Sequence, residues 1–363
     1  MTALDSLFLT TGPKTEEFEQ SFCDYLGTRR CLGVTSWTMG NFITLKALGV
    51  GPGDKVLTTP LTYVATANTI LHAGAEPIFA DVDPVTGNLD PEKVKEKLDQ
   101  EKGVKGIVVV HLYGQMADMS ALHTLTRERG MFLLEDCAHC VEGVRNEIRP
   151  GGLSDAAIFS FYATKNLTCG EGGAIVTNDE ELADRLTPLR LHGVDLYAKD
   201  QRKAGLYRHW DMNVLGYKCN MHDLSASILI PQLERIEDQR KKRQALCERY
   251  DELFQCVDGI KTISRLPGTV HAHHLYTIQT NPKKRNRFLN ELSKRGVGVG
   301  VNFRNVHLME YYRQNYGYAK GDFPCAEAIG DSTISIPLYP LLKHEEQDYV
   351  ADTVKAVSRE LAS

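Results

Sequence analysis

Phe132-Leu133-Leu134-Glu135-Asp136-Cys137-Ala138-His139 and, further along, Ala157-Ile158-Phe159-Ser160-Phe161-Tyr162-Ala163-Thr164-Lys165-Asn166 are the two stretches on which the fold turns. Each opens on a strand-length run that is apolar at successive positions and ends abruptly in residues capable of chemistry. A run apolar on both faces suits a strand covered on both sides, which is the habit of parallel sheets flanked by helices. From Cys31 to about Leu191 the same texture repeats, short apolar runs alternating with segments of helical period. Candidate strands are Leu32–Thr35, Val56–Thr59, Pro77–Asp81, Ile107–His111, Phe132–Asp136, Ala157–Ser160 and Ala174–Thr177. Asp90 before Pro91 reads as an N-cap with proline at the first helical position, and Asn178 with Glu181 reads as a capping box. The expected architecture is α/β, a large unit with a mostly parallel, doubly wound sheet.

Past Asp223 the texture becomes a long helical pattern through Leu229, Leu233, Ile236 and Leu246, with a kink expected at Pro231 and a wet face carrying Arg240, Lys241, Lys242 and Arg243. From Gly259 a smaller α+β unit is expected, with strands at His274–Thr280 and Val297–Phe303 and a helix over Arg285–Lys294. The division is placed at 1–225 for the large domain and 226–363 for the connecting helix and the smaller C-terminal domain.

The chain has 363 residues, ample for two domains with their own cores. Its 42 Lys and Arg against 47 Asp and Glu leave a net charge of −5, which gives no general attraction to nucleic acid or to an anionic membrane. The apolar runs are strand-sized, far short of the roughly 18 residues of a membrane span. Met1–Gly12 lacks the basic start and long apolar stretch of a secretory signal, and nine cysteines without framework spacing suit reduced thiols, so a cytoplasmic protein is expected. Cys137 and Cys140 form a C-x-x-C, but without a thioredoxin-like context or a second cysteine pair it is read as inert, and no metal site is expected.

In open α/β sheets, ligands lie beyond the carboxyl ends of the strands. Those positions here deliver Tyr63, Asp136 and Ser160, followed by Lys165 in a run that continues to Gly170-Glu171-Gly172-Gly173. An acid, an aromatic, a hydroxyl and a lysine at one sheet edge are the parts of a pyridoxal phosphate site. Desolvation favours the neutral, nucleophilic lysine that such a cofactor needs, and a fixed carboxylate favours a protonated pyridine nitrogen. Tyr63 suits stacking on the ring, while Ser160 and the helix start at Thr38-Met39 suit the phosphate.

The run Ser160–Gly173, with Glu135–His139 and His111-Leu-Tyr-Gly-Gln115 before it, resembles the DegT/DnrJ/StrS sugar aminotransferases, which are pyridoxal phosphate enzymes of fold type I. The resemblance extends from Thr10-Thr11-Gly12-Pro13 to Ile336-Pro337-Leu338. Gly216–Met221 and Asn302–His307 are similar in style to the UDP-4-amino-4-deoxy-L-arabinose aminotransferase branch. The resemblance implies Lys165 as the Schiff-base lysine, Asp136 as partner of the pyridine nitrogen, Ser160 on the phosphate, Tyr63 stacked and His139 near the ring hydroxyl. It further implies a homodimer with shared active sites, in which Asn220 reaches the neighbour's phosphate. Trp37-Thr38 stands where the family usually has Gly-Thr. Thr10 lies near the start of the chain, where relatives carry a further segment of substrate-side wall.

The activity so implied moves an amino group from glutamate or glutamine to a keto-sugar, a nucleotide-linked 4-keto sugar foremost, through the pyridoxal and pyridoxamine forms of the cofactor (PLP and PMP). Arg304 and His307 are the expected substrate-binding residues on the smaller unit. The competing expectations are a sugar 3-dehydratase, whose branch has histidine where Lys165 stands, and a non-catalytic regulator that binds PLP.

Overall fold

The computed structural model describes Leu4, residues 9–194 and residues 209–362. Seven strands form the main sheet: β1 (Arg30–Val34), β2 (Lys55–Thr58), β3 (Glu76–Phe79), β4 (Val104–Val110), β5 (Phe132–Asp136), β6 (Ala156–Ser160) and β7 (Gly173–Thr177). Their order is β1-β7-β6-β5-β4-β2-β3, parallel throughout except for β7, which runs antiparallel to both neighbours. All seven expected strands are present. Both faces are covered: Val34, Val108, Leu134, Ile158 and Ile175 belong to one core, while Ala157, Phe159, Ala174 and Val176 join Phe18 and Phe22 of helix α1 (Pro13–Leu26) in another. That two-sided burial explains why the strands read as unbroken apolar runs rather than alternating ones.

Asp90 caps the helix Pro91–Gln100 by accepting from Glu92 N–H at 2.9 Å. At the helix Glu180–Leu189 the cap is Asp179, which accepts from Leu182 N–H, and not Asn178, whose side-chain oxygen instead receives Arg29 N–H from across the sheet edge. The long helical region is broken three residues later than expected. Pro231 sits inside the helix Asp223–Leu233, and the break falls at Glu234–Arg235 before the helix Ile236–Phe254. Ala226, Leu229 and Leu233 pack into the core that holds Phe18 and Phe22.

Beyond it a second core gathers Leu246, Tyr250, Phe288, Leu292 and Val354 around a three-stranded antiparallel sheet of β8 (Lys261–Thr262), β9 (Tyr276–Gln279) and β10 (Thr333–Ile336), in the order β10-β9-β8. The helix over Arg285–Lys294 is as expected. The strand expected at Val297–Phe303 is absent apart from one bridge, Gly300 to Ser335. Gly296, Gly298 and Gly300 deprive that segment of side chains to pack, and the β-branched Thr333–Ile336 run takes the place in the sheet. Arg243 leaves the expected wet face: it is 2% exposed and pairs with Glu142, while Lys241 and Lys242 remain exposed.

Candidate active site

Parallel neighbours β4, β5 and β6 end side by side, with Val110 paired to Asp136 and Asp136 to Ile158, and Ser160 is paired to Gly173 on β7. Beyond these ends lies a cavity of about 560 Å³, bounded by Thr38, Tyr63, Asp136, His139, Ser160 and Lys165 among others. Its volume is that of a site for a small organic ligand.

Asp136 is 5% exposed, and its oxygens are fixed from two sides. Oδ1 accepts Ala138 N–H at 3.1 Å and Oδ2 accepts Thr66 Oγ1–H at 2.9 Å. Thr66 has spent its proton on Asp136, so Thr62, 2.8 Å away, must donate to Thr66. Burial pushes the Asp136 carboxyl above the usual carboxylate range, opposed by these hydrogen bonds and by the Lys165 charge. A desolvated carboxylate held only by neutral donors is a site waiting for a cationic partner.

Lys165 faces the same cavity, and burial pulls its ammonium down to about 8, against the pull of Asp136. Beside it stand two neutral imidazoles, His139 and His274, with ring centroids 4.3 Å apart. Burial, then the positive charge of Lys165, holds both well below the ordinary histidine value. Phe303 also stacks on His139, 5.4 Å away and 13° from parallel.

The helix Trp37–Ala47 presents its N-terminus to this cavity. Ser36 is its cap, and Ser36 Oγ accepts Met39 N–H at 3.2 Å. Thr38 lines the cavity as expected. Met39 does not: its N–H is already used, and its side chain packs on the core. Trp37 is 6% exposed and belongs to the core of Val34 and Ile158, so its bulk is absorbed there while its edge forms part of the wall. The helix comes this close because of Gly173, where a Cβ would stand 2.6 Å from Ser36 C and 2.7 Å from Trp37 N. Ser160, on the strand end beside that glycine, offers a hydroxyl to the same corner.

Tyr63 lies at the wall but is 63% exposed, its ring 6.2 Å from that of Phe303 and tilted. Asn220 lies outside its own chain's cavity, donating to Thr11 Oγ1 at 2.7 Å and accepting from Lys218. Arg304 is exposed and lines a separate open groove of about 660 Å³ with Arg313 and Lys320. His307, expected at the substrate, is instead fully buried, with Nε2 3.1 Å from Glu327 and the ring against Phe323, and lines neither cavity. Its neighbour Val306 packs in one core with Phe323, Ala326 and Ile329 at the helix Pro324–Ser332, which draws this turn inward.

Sequence reading missed Thr66, Thr62, His274 and Phe303. The pair Thr62 and Thr66 had a signal, two hydroxyls one helical turn apart immediately after a strand. His274 and Phe303 arrive from the smaller unit and had none. Cys137 and Cys140 are buried with their thiols pushed up by burial, in keeping with the inert reading, and all nine cysteines are unpaired. Among the described residues no helix is long and apolar enough to cross a membrane.

Comparison with known proteins agrees with this geometry. Residues 1–355 match the DegT/DnrJ/EryC1/StrS aminotransferase family. The spore coat polysaccharide biosynthesis protein SpsC of Bacillus subtilis is 40% identical over 359 residues, covering 98% of this chain and 92% of its own. The aminotransferase TlmJ of Streptoalloteichus hindustanus superposes with a TM-score of 0.91 at 32% identity, over 99% of this chain and 95% of its own. Spr1654 of Streptococcus pneumoniae, described as a sugar aminotransferase and solved in a PMP form, gives 0.92 at 29% identity with coverage of 99% and 95%.

Proposed function

The chain belongs to the DegT/DnrJ/EryC1/StrS family of PLP-dependent sugar aminotransferases, with their type I fold, and we propose that it transfers the amino group of glutamate or glutamine to a nucleotide-linked 4-keto sugar. The observation that carries this reading is the meeting, in one cavity, of a lysine whose ammonium burial lowers to about 8 and a desolvated carboxylate in need of a cation. Neither a sugar 3-dehydratase nor a non-catalytic regulator is favoured by an intact Lys165.

When bound, PLP supplies an aldehyde that exchanges amines and a ring that withdraws electrons from the carbon bearing them. Lys165 acts twice, as the neutral amine that holds the cofactor and, once released, as the base that moves a proton at the reacting carbon. Asp136, oriented by Thr66 and Ala138, holds a proton on the pyridine nitrogen. His139 accepts Tyr113 N–H at Nδ1, at 3.3 Å, so its proton is on Nε2, where it can donate to the ring hydroxyl. Ser160, Thr38 and the helix start that Ser36 caps would hold the phosphate.

On the smaller unit, Arg304 with Arg313 and Lys320 supplies positive charge for the nucleotide diphosphate. The protein acts in the cytoplasm as a homodimer, Asn220 serving the partner's phosphate site. Its position outside its own cavity supports this, as do the apolar residues on the same segment, Trp210 at 49%, Met212 at 55% and Leu215 at 77% exposed. The test is a panel of keto-sugars, free and nucleotide-linked, offered to enzyme in the PMP form while cofactor absorbance is followed. Return to the lysine-bound spectrum with a nucleotide-linked 4-keto sugar supports the reading. Response to 2-oxo acids alone overturns it.

A further inference from the structure

Behind Lys165 lies a buried polar network. Arg243, from the helix Ile236–Phe254, pairs with Glu142, and both are buried. Asn166, the residue after Lys165, places Nδ2 at 3.2 and 3.3 Å from the two Glu142 oxygens and at 3.0 Å from Ala272 O. Ala272 O can only accept, so the atom of Asn166 that faces it is the NH2 group and the amide orientation is fixed by chemistry, whichever way burial and the opposing Arg243 charge leave the Glu142 carboxyl. Its Oδ1 is then the atom 3.2 Å from His274 Nδ1, and His274 must carry its proton there. His274 Nε2 is left with a free lone pair in a cavity where His139, with Tyr113 N–H on its Nδ1, presents an Nε2–H.

We infer that Asn166, braced by Glu142 and Arg243, is a positioning residue that holds His274 in the Nδ1–H tautomer, so that the cavity offers a donor at His139 and an acceptor at His274. The acceptor is matched to a hydroxyl beside the reacting carbon of the substrate; this part rests on the sugar reading above, whereas the tautomer does not. Free histidine prefers a proton on Nε2, so the network reverses the default.

The experiment uses holoenzyme labelled with 15N in histidine, the His274 resonances being assigned by their loss in His274→Phe. Neutral Nδ1–H and Nε2–H imidazoles have distinct ring nitrogen shifts. The expected result is Nδ1–H for His274, converting to Nε2–H in Asn166→Ala. An Nε2–H or doubly protonated His274 in the wild type overturns the inference. The keto-sugar accepted in the panel is then compared with its analogue lacking the neighbouring hydroxyl. Wild type is expected to favour the hydroxyl about tenfold or more in kcat/KM, because an unpaired buried acceptor is penalised. His274→Gln, whose amide oxygen can replace Nε2, keeps the preference, and His274→Phe loses it. An unchanged preference in His274→Phe removes the match to a hydroxyl. If no sugar is accepted, the proposed function fails while the nitrogen shifts still decide the tautomer.

Discussion

Lys165 and Asp136 each sit in an environment that disfavours their charged form, and their mutual attraction only partly restores it. With Lys165 lowered to about 8, roughly a tenth of it is neutral at pH 7, against well under ~0.1% for an ordinary lysine. Covalent uptake of PLP by apoprotein should therefore accelerate with rising pH and level off above a midpoint near 8, because only the deprotonated amine attacks. Stopped-flow absorbance measures this, and a midpoint beyond 10 would refute the lowered value. Asp136→Asn should cost about a hundredfold or more in both half-reactions, since an amide cannot hold the pyridine proton. Thr66→Val should cost only about tenfold, as one buried hydrogen bond is removed and the carboxylate remains. Equal losses in the two variants, or turnover within twofold of wild type for Asp136→Asn, would remove the assigned role. Asp136 and Ser160 were legible because each closes an apolar strand, and Lys165 because it follows one at a short offset. Thr66 was legible in principle, as a hydroxyl one turn after Thr62. His274 was not, since only tertiary packing brings it to His139.

At the scale of elements, the Arg243–Glu142 pair ties the helix Ile236–Phe254 to the loop after β5. Removing one partner strands a buried charge, so Arg243→Leu should lower stability by about 3 to 5 kcal/mol. Arg243→Leu combined with Glu142→Leu should recover much of the loss, and Lys242→Leu on the wet face should stay within about 0.5 kcal/mol. Urea midpoints decide it, and a neutral Arg243→Leu would contradict the pairing. The inward turn of Arg243 was readable: Arg243, Leu246, Cys247, Tyr250 and Phe254 share one helical stripe, and all are buried. Density of charge in the sequence masked it. The seven strands of the main sheet were legible because burial on both faces leaves few polar interruptions, Lys105 and Glu135 among them. In the smaller unit, valines alternating with glycines imitate a strand at Val297–Phe303, and the true strand Thr333–Ile336 is a short run cut off by Pro337.

For the whole molecule, a cofactor site at one sheet edge is closed by His274 and Phe303 from the smaller unit, and the proposed dimer adds Asn220 from a second copy. Mixing a Lys165→Ala protomer with an Asn220→Ala protomer should restore activity after subunit exchange, since one heterodimer site then collects both defects and the other none. Exchange without recovery, or an active monomer by sedimentation, would contradict shared sites. The change of texture after Asp223 was legible, but the packing of the helix Asp223–Leu233 on Phe18 and Phe22 was not, because its helical period does not say which core its apolar face joins.

The central claim, that this cavity moves nitrogen from cofactor to sugar, is tested most directly by one labelled turnover. Enzyme loaded with 15N-labelled PMP is given an excess of the nucleotide-linked 4-keto sugar, quenched, and the sugar analysed by mass spectrometry. The prediction is one labelled amino-sugar per active site in the wild type and none in Lys165→Ala. A wild-type enzyme that leaves all of its label on the cofactor would contradict it.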